Sequence, residues 1–287
     1  MEEQNKAHAD IKINDVHILL KGVHKWYGSN HVLKGINLKI YRGKTNVIIG
    51  GSGAGKTVLM RQIIGLETPD KGEIYIDGEN IVGMDEYKLA IVRRKFGMVF
   101  QLSALFDSMT VFDNVAFPLR EHTKLSKKEI YHRVMEKLRA LNLEGAEDKY
   151  PADISGGMKK RVGVARALIL EPQILIYDEP TTGLDPIAAR NVDDLIIETA
   201  GKFNVTSIVI SHDMTTTFNV GDFISLIHNG EIRITAPPQN LIQSTDPEVQ
   251  RFLGLSGVNA QKVLEQRARK THTDYDFSHN NKHPYDF

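Results

Sequence analysis

From Val16 to about Leu241, short apolar runs rich in β-branched residues alternate with longer stretches of helical period, the pattern of a layered α/β domain. The runs TNVIIG (Thr45 to Gly50), QILIYDE (Gln173 to Glu179) and TSIVIS (Thr206 to Ser211) are almost continuously apolar, and each gives way to polar or glycine-rich residues. They predict parallel strands buried on both faces, with C-terminal ends free to carry chemistry. The front of the chain alternates instead. INLKIYRG (Ile36 to Gly43) and EIYIDGENI (Glu73 to Ile81), with turn residues between them, predict an antiparallel flank. Between Leu125 and Leu143 the period becomes helical: Ser126 and Glu129 form a capping-box pattern, and Ile130, Val134, Leu138 and Leu141 fall on one face. A second helix is expected from near Ser155 through Val162, Ala165 and Leu168, ending before Pro172.

Composition narrows the class. A chain of 287 residues suffices for one large domain or two modest ones. Lys plus Arg and Asp plus Glu both number 36, so no chain-wide field draws the protein to nucleic acid or to an acidic surface. Cysteine is absent, which excludes a disulfide framework and thiolate chemistry. The polar start MEEQNKAHADIKIND lacks the apolar stretch of a secretory signal, and no run approaches the roughly 18 apolar residues of a membrane span. A role at a membrane would need another chain to hold the protein there. From about Gly257 the sequence is mostly polar and carries Tyr-Asp-Phe twice, at residues 275 to 277 and 285 to 287. In isolation this tail lacks the apolar surface to fold, and it is expected to be disordered or to dock on a partner through its aromatics.

The chemistry-bearing residues sit where the apolar strands end. Gly50, Gly51, Ser52, Gly53, Ala54, Gly55, Lys56 and Thr57 spell G-x-x-x-x-G-K-[ST] between a predicted strand and a predicted helix. Glycines there let successive backbone N–H groups turn toward phosphate oxygens. The helix start adds positive potential, Lys56 reaches the β/γ-phosphates, and Thr57 can ligate Mg²⁺. ILIYDEP (Ile174 to Pro180) ends a strand with two carboxylates: Asp178 to hold the metal shell, Glu179 to face an attacking water. Alone, that pair would read as an acidic helix start; beside a phosphate loop it reads as part of an ATP hydrolase. His212 follows the strand SIVI, where an imidazole can donate to a γ-phosphate and orient the water. Gln101 ends the run FGMVF, and a neutral amide there can bind Mg²⁺ or water while shifting as the nucleotide changes. The stretch beyond it, with Leu102, Leu105, Phe106, Val111, Phe112 and Phe117, reads partly as core and partly as an unusually apolar loop suited to docking.

In chain order the motifs are the phosphate loop, Gln101, DISGGMKKR (Asp153 to Arg161), Asp178 with Glu179, TTGLDP (Thr181 to Pro186) and His212. This order resembles the ABC-type ATPase cassette over about Val16 to Gly254. The resemblance implies an α/β fold: an ABC-type P-loop NTPase cassette over 16–255 with a mixed RecA-like core, an antiparallel β flank and a helical subdomain inserted at about 102–170. Residues 1–15 would be a polar lead and 256–287 a polar tail. It also implies two copies paired head to tail around two ATP molecules. Tyr27 in HKWYG matches the aromatic that stacks on adenine, with Trp26 the weaker match, and Val58 follows the phosphate loop into the ATP site. Ser155, Gly156 and Gly157 match the signature that meets the partner's ATP, and Asp185 matches the aspartate that communicates across the dimer. Glu179 takes the role of general base, His212 that of the switch histidine and Gln101 that of the Q-loop residue. Thr57, Gln101 and Asp178 are the implied Mg²⁺ ligands. Met158 stands where Gln is frequent and Gly51 where Pro is frequent, and neither change removes a phosphate or metal ligand.

The stretch ALFDSMTVFDNVAFPLREHTKLS (Ala104 to Ser126), together with SGGMKKRVGVARAL and YDEPTTGLDPIAAR, is similar to the ATPase subunits of MCE-type lipid transporters, the Mla and Mkl group. That likeness implies a multispan permease and an MCE lipid-binding protein as partners, and phospholipid or a related lipid as cargo. It implies no nucleic acid, and a place on the cytoplasmic face of the inner membrane. Glycine-betaine-type importers also carry Met after the glycines, and a soluble single-cassette ATPase would carry the same motifs, so both stand as alternatives. A repair or chromosome ATPase of this superfamily would interrupt its cassette with a long coiled coil, and no heptad run of that length occurs.

Overall fold

The computed structural model describes residues 15–101 and 103–274. All but the last residue of the expected lead, Leu102 of the apolar stretch, and both Tyr-Asp-Phe repeats lie outside the described residues. Two sheets organise the rest. The strands β1 (Val16–Tyr27), β2 (Asn30–Tyr41), β4 (Lys71–Ile76) and β5 (Glu79–Asn80) form an antiparallel sheet in the order β2-β1-β4-β5. The strands β3 (Thr45–Ile49), β6 (Phe96–Phe100), β7 (Ile174–Asp178), β8 (Thr206–Ser211), β9 (Phe223–His228) and β10 (Glu231–Ala236) form a second sheet in the order β10-β9-β3-β8-β7-β6. Every pairing in it is parallel except that of β10 with β9.

The inner parallel strands β3, β7 and β8 are apolar along their middles because both faces are covered. Along β3, Val47 and Ile49 join an apolar cluster shared with the helices, while Ile48 joins a second cluster shared with the antiparallel sheet. In β7, Leu175 and Tyr177 divide from Ile174 and Ile176 in the same way. The two sheets are fastened at their far end. Buried His17 on β1 shares a 2.7 Å hydrogen bond with Thr206 on β8, and Asp77, just after β4, bonds Arg42 and Lys95. Burial holds the His17 imidazole below its usual range, so it serves as a neutral partner.

The helix α1 (Lys56–Ile63) follows the phosphate loop, and α2 (Glu86–Arg93) precedes β6. Three helices follow: α3 (Val111–His122), α4 (Lys127–Ala140) and α5 (Gly156–Leu168). The capping box of Ser126 and Glu129 opens α4, and Ile130, Val134 and Leu138 bury its inner face against Val115 and Leu119 of α3 and Val162 and Ala165 of α5. The stretch read in part as an apolar loop differs from that expectation, since it is helical from Val111 onward. Thr110 caps α3 by accepting the Asp113 N–H, and the N–H groups of Val111 and Phe112 find the Lys149 and Glu147 carbonyls. Pro118 would ordinarily end a helix; burial of Val111, Val115 and Leu119 keeps this one on the core.

After β7 come α6 (Pro186–Phe203) and α7 (Met214–Val220), and after β10 come α8 (Pro238–Ile242), α9 (Pro247–Leu255) and α10 (Ala260–Asp274). The last helix departs from the reading of residues from 256 onward as a disordered end or a tail for a partner: the chain is helical as far as Asp274 and docks on itself through Val263, Leu264 and Arg267. Val263 and buried Leu264 join the main apolar cluster. Arg267 donates to the Phe218 and Gly221 carbonyls at the end of α7, and to the Asp222 carboxylate at 3.1 Å. A cation there satisfies carbonyls that have no partner inside the helix. Composition missed this because a segment too polar to fold alone needs few apolar contacts once a formed helix offers a dock.

Where α6 meets α7 lies a buried acid. Asp193 is 2% exposed and accepts a hydrogen bond from the Asn219 amide at 2.8 Å. Burial, against the opposing hydrogen bonds of Asn219 and Thr216, pushes its carboxyl up to about 6, from about 4 in an unfolded chain. The folded state therefore holds this proton more tightly, and its contribution to stability is lost as pH rises from about 4 to about 6. Asp193→Asn keeps an acceptor for Asn219 and removes the charge. At pH 8 it is expected to exceed the parent in stability by roughly 1–3 kcal/mol, with a flatter dependence between about pH 4 and 6. Urea midpoints across that range check this, and equal midpoints at pH 8 would refute it.

Candidate active site

Parallel pairing brings the strand ends level. Phe100 pairs with Asp178, Asp178 with Ile210, and Ile49 with Ser211. Gln101, Glu179, Gly50 and His212 follow these residues and leave the sheet along one edge.

The phosphate loop fits closely against its surroundings at two glycines. A Cβ on Gly50 would lie 2.4 Å from the Ile227 carbonyl oxygen, and one on Gly55, whose φ is +105°, would lie 2.9 Å from Leu33. Gly51, Ser52 and Gly53 between them are exposed, as is Thr57 in the first turn of α1, while Ala54 and Val58 pack partly against the cluster on the antiparallel side. Lys56 folds back over its own loop. Its Nζ donates to Gly50 O at 2.7 Å and Gly51 O at 3.2 Å, and stands 3.9 Å from Glu179 Oε1. Burial draws its ammonium below the usual range, against the pull of Glu179 and Asp178.

Glu179 is the most constrained residue of the group. Its φ is +48°, in the left-handed region, and its N–H is held by Ile210 O at 2.9 Å. Its Oε2 accepts from the Thr182 hydroxyl at 3.0 Å and lies 2.7 Å from His212 Nδ1. Burial, and then the Glu179 charge, push the Asp178 carboxyl up, with Lys56 opposing. Gln101 Nε2 donates to Thr182 O at 3.4 Å. Lys56, Asp178, Glu179, His212 and Gln101 therefore form one constellation.

A cavity of about 650 Å³ opens beside them, walled by Gly50, Gly51, Ser52, Lys56, Glu179 and His212 and, opposite, by Glu248, Arg251, Phe252 and Leu255 of α9. A second, of about 330 Å³, shares Gly51 and Ser52 and is bounded by the start of β2 and by His228 to Gly230. Tyr27 lines neither. It lies 45% exposed at the end of β1, and its hydroxyl donates to Glu67, which pushes the phenol up to about 12. Trp26 is occupied by stacking on His31, with ring centroids 3.9 Å apart.

Ser155, Gly156, Gly157 and Asp185 also line neither cavity, and all four are exposed. Ser155 caps α5 by accepting the Met158 N–H at 3.3 Å, which leaves its own proton to donate. Open space surrounds the positions where Gly156 and Gly157 would carry a Cβ. Asp185 caps α6 through the Ile187 and Ala188 N–H groups. The motif reading missed Thr182, Lys160 and the α9 wall. Lys160, Gly163 and Arg166 repeat at i, i+3 and i+6 on α5, a spacing that marks one helix face.

The donors near the loop are the oxygens of Thr57, Asp178 and Gln101. Such a small hard set suits Mg²⁺, an ion that keeps several waters and phosphate oxygens, better than an ion requiring an all-protein cage. Among the described residues no group of three or more His, Asp or Glu gathers as such a cage. The close-fitting glycines and the adjacent ammonium suit a polyphosphate.

The chain as a whole is similar to known proteins. The family model described as ABC transporter matches residues 33–182. The chain is 39% identical over 256 residues to the "Probable ribonucleotide transport ATP-binding protein mkl" of Mycobacterium leprae, covering 89% of this chain and 74% of the relative. It is 42% identical over 226 residues to the "Intermembrane phospholipid transport system ATP-binding protein MlaF" of Escherichia coli K12, covering 79% and 84%. Among solved structures, cbiO1 from Clostridium perfringens, part of the ABC transporter complex cbiONQ, gives a TM-score of 0.75 at 30% identity over 88% of this chain and 99% of that one. An ATP-binding cassette solved as a dimer in a post-hydrolysis state with ADP and Pi gives 0.66 at 32% identity, over 77% and 98%.

The two ends of the loop respond differently to added bulk. Gly50→Ala forces a Cβ onto the backbone of β9 and is expected to cost about 1–3 kcal/mol. Gly51→Ala meets nothing within 4 Å and should be close to neutral in stability. Thermal unfolding of the pair decides, and equal losses in both would contradict the close fit at Gly50.

Proposed function

The chain belongs to the ABC transporter family and is an ATP-hydrolysing motor of a transporter; from that premise we propose that its cargo is phospholipid or a related lipid. The observation that carries the cargo is the 42% identity to MlaF across 84% of that protein, whose name states intermembrane phospholipid transport. The name of the mkl relative points instead to ribonucleotide, a second cargo that the test below separates.

In this reading the phosphate loop from Gly50 to Thr57, with Val58, receives the triphosphate, and Tyr27 stacks on adenine. Thr57, Asp178 and Gln101 hold Mg²⁺, which when bound offsets charge on the phosphoryl oxygens. Lys56 adds the second cation. The Thr182 hydroxyl and His212 hold one oxygen of Glu179, so the other, 3.9 Å from the Lys56 ammonium, is left to accept a proton from the attacking water as general base. His212 keeps the carboxylate in that attitude and faces the γ-phosphate. Ser155, Gly156, Gly157 and Asp185 of one copy reach the ATP of the other, and their exposure supports that role. Catalysis is then chiefly positioning and charge neutralisation.

Among the described residues no helix is long and apolar enough to cross a membrane. In our reading a multispan permease holds two copies of the motor at the cytoplasmic face of the inner membrane, and an MCE lipid-binding protein completes the path.

Glu179→Gln is expected to retain Mg-ATP binding and to lower turnover by at least about 100-fold, accumulating a closed dimer. Near-parental hydrolysis would remove Glu179 as the base. For the cargo, the tagged chain should bring down a multispan permease from a detergent extract, and the complex should hydrolyse ATP faster with phospholipid than with ribonucleotide. A chain that purifies without partners, or that responds to ribonucleotide alone, would overturn the lipid assignment.

A further inference from the structure

We propose that Lys160 is a positioning residue for hydrolysis, joining the helix that carries Ser155 to Gly157 to the two backbone segments that hold Gln101 and Glu179. The proposal rests on the reading of these residues as an ATPase site completed by a second copy.

The Lys160 ammonium donates to the Gln101 carbonyl, and to the Pro180 carbonyl at 3.0 Å. The first follows the end of β6; the second belongs to the residue directly after Glu179. One cation thus fastens the exits of two neighbouring strands to α5. The Thr182 carbonyl accepts from Gln101 at 3.4 Å and the Thr182 hydroxyl donates to Glu179 at 3.0 Å, so Lys160, Gln101, Thr182, Glu179 and, next along the chain, Pro180 form a closed circuit of five residues.

The rest of the same helix face serves the same segment. Gly163 lies against Ser103, where an added Cβ would stand 3.3 Å from the Ser103 Cβ. Arg166 donates to the Ser103 carbonyl at 2.9 Å. Ser103 and Ala104 have φ of +61° and +44°, a left-handed turn that needs outside support. Burial draws the Lys160 ammonium below its usual range, and charge-assisted bonds are strongest where water is scarce.

Ser155 and Lys160 are separated by about 7.5 Å along a helix that moves as a unit. A pull on Ser155 to Gly157 from the partner's phosphate therefore shifts the ammonium, and with it the Gln101 and Pro180 carbonyls that set the attitude of Glu179. Each copy would then adjust its own base according to whether the opposite ATP is in place. Lys160 lines neither cavity beside the phosphate loop, so its effect falls on turnover and on cooperativity, not on binding.

The test uses the full-length chain. Lys160→Met keeps the apolar stem and removes the donor; Lys160→Arg restores a cation. Lys160→Met is expected to bind Mg-ATP within about threefold of the parent, to lose about tenfold in kcat and to bring the Hill coefficient for ATP toward 1, while Lys160→Arg recovers at least about half of kcat. Parental kcat and cooperativity in Lys160→Met would overturn the proposal. So would loss of binding and melting temperature in proportion to kcat, or an arginine variant no better than methionine. Should the methionine variant fail to fold, Lys160→Gln, which keeps one neutral donor, is read by the same criteria. Glu179→Gln in the same assay separates the two levels: if it stops turnover while Lys160→Met is normal, only this inference fails, and if it hydrolyses normally, the underlying site assignment fails first.

Discussion

The in-step parallel pairing of β3, β8, β7 and β6 is the constraint on which the rest depends. Parallel strands buried on both faces leave little room for polar groups at their middles. The buried polar residues Thr45, Asn46, Thr206 and Ser207 sit at one end, and the chemistry-bearing side chains lie just past the opposite edge, where the strands end together. There the backbone groups that leave the sheet must find partners in one another. The Glu179 N–H takes the Ile210 carbonyl, the His212 ring meets the Glu179 carboxylate, and the Gln101 amide meets the Thr182 carbonyl. The constellation is as much the way this edge satisfies its hydrogen bonds as it is a catalytic device.

Electrostatics then sharpen what packing assembles. Lys56 faces two adjacent carboxylates in a partly desolvated setting, where burial disfavours the Lys56 and Asp178 charges and the attraction between them opposes that penalty. An anionic polyphosphate together with a divalent cation brings further charge of both signs to the same place. Interactions there act through a lower effective dielectric than in water, so small displacements of the ammonium or of Glu179 matter more than they would on an open surface.

What could be read from the sequence was whatever local pattern dictates. Continuous apolar runs marked β3, β7 and β8 because both faces are buried, and Ser126 with Glu129 marked the start of α4 because a capping box is complete within four residues. The phosphate-loop residues were legible because each has its own conformational or chemical requirement. Features that depend on distant partners were not. The stretch beyond Gln101 read partly as an apolar loop, yet burial on neighbouring helices makes it helical from Val111 even across Pro118. The polarity of residues 260–274 argued against α10, yet Leu264 and Arg267 meet a formed α7. Met158 could be placed beside the signature glycines, whereas its partial burial against the main core becomes visible only once α5 is packed. Lys160 looked like one more charge in a basic helix until the fold brought two carbonyls to it.

The left-handed backbone of Glu179 carries a consequence for the history of such chains. That conformation suits glycine or asparagine, and for a residue such as glutamate it costs roughly 1–2 kcal/mol. Folding alone would therefore favour Asn or Gly at this position, and only the need for a carboxylate opposes them. In any lineage that keeps hydrolysis, this position therefore holds its carboxylate at a standing cost in folding energy that an asparagine or glycine would not incur.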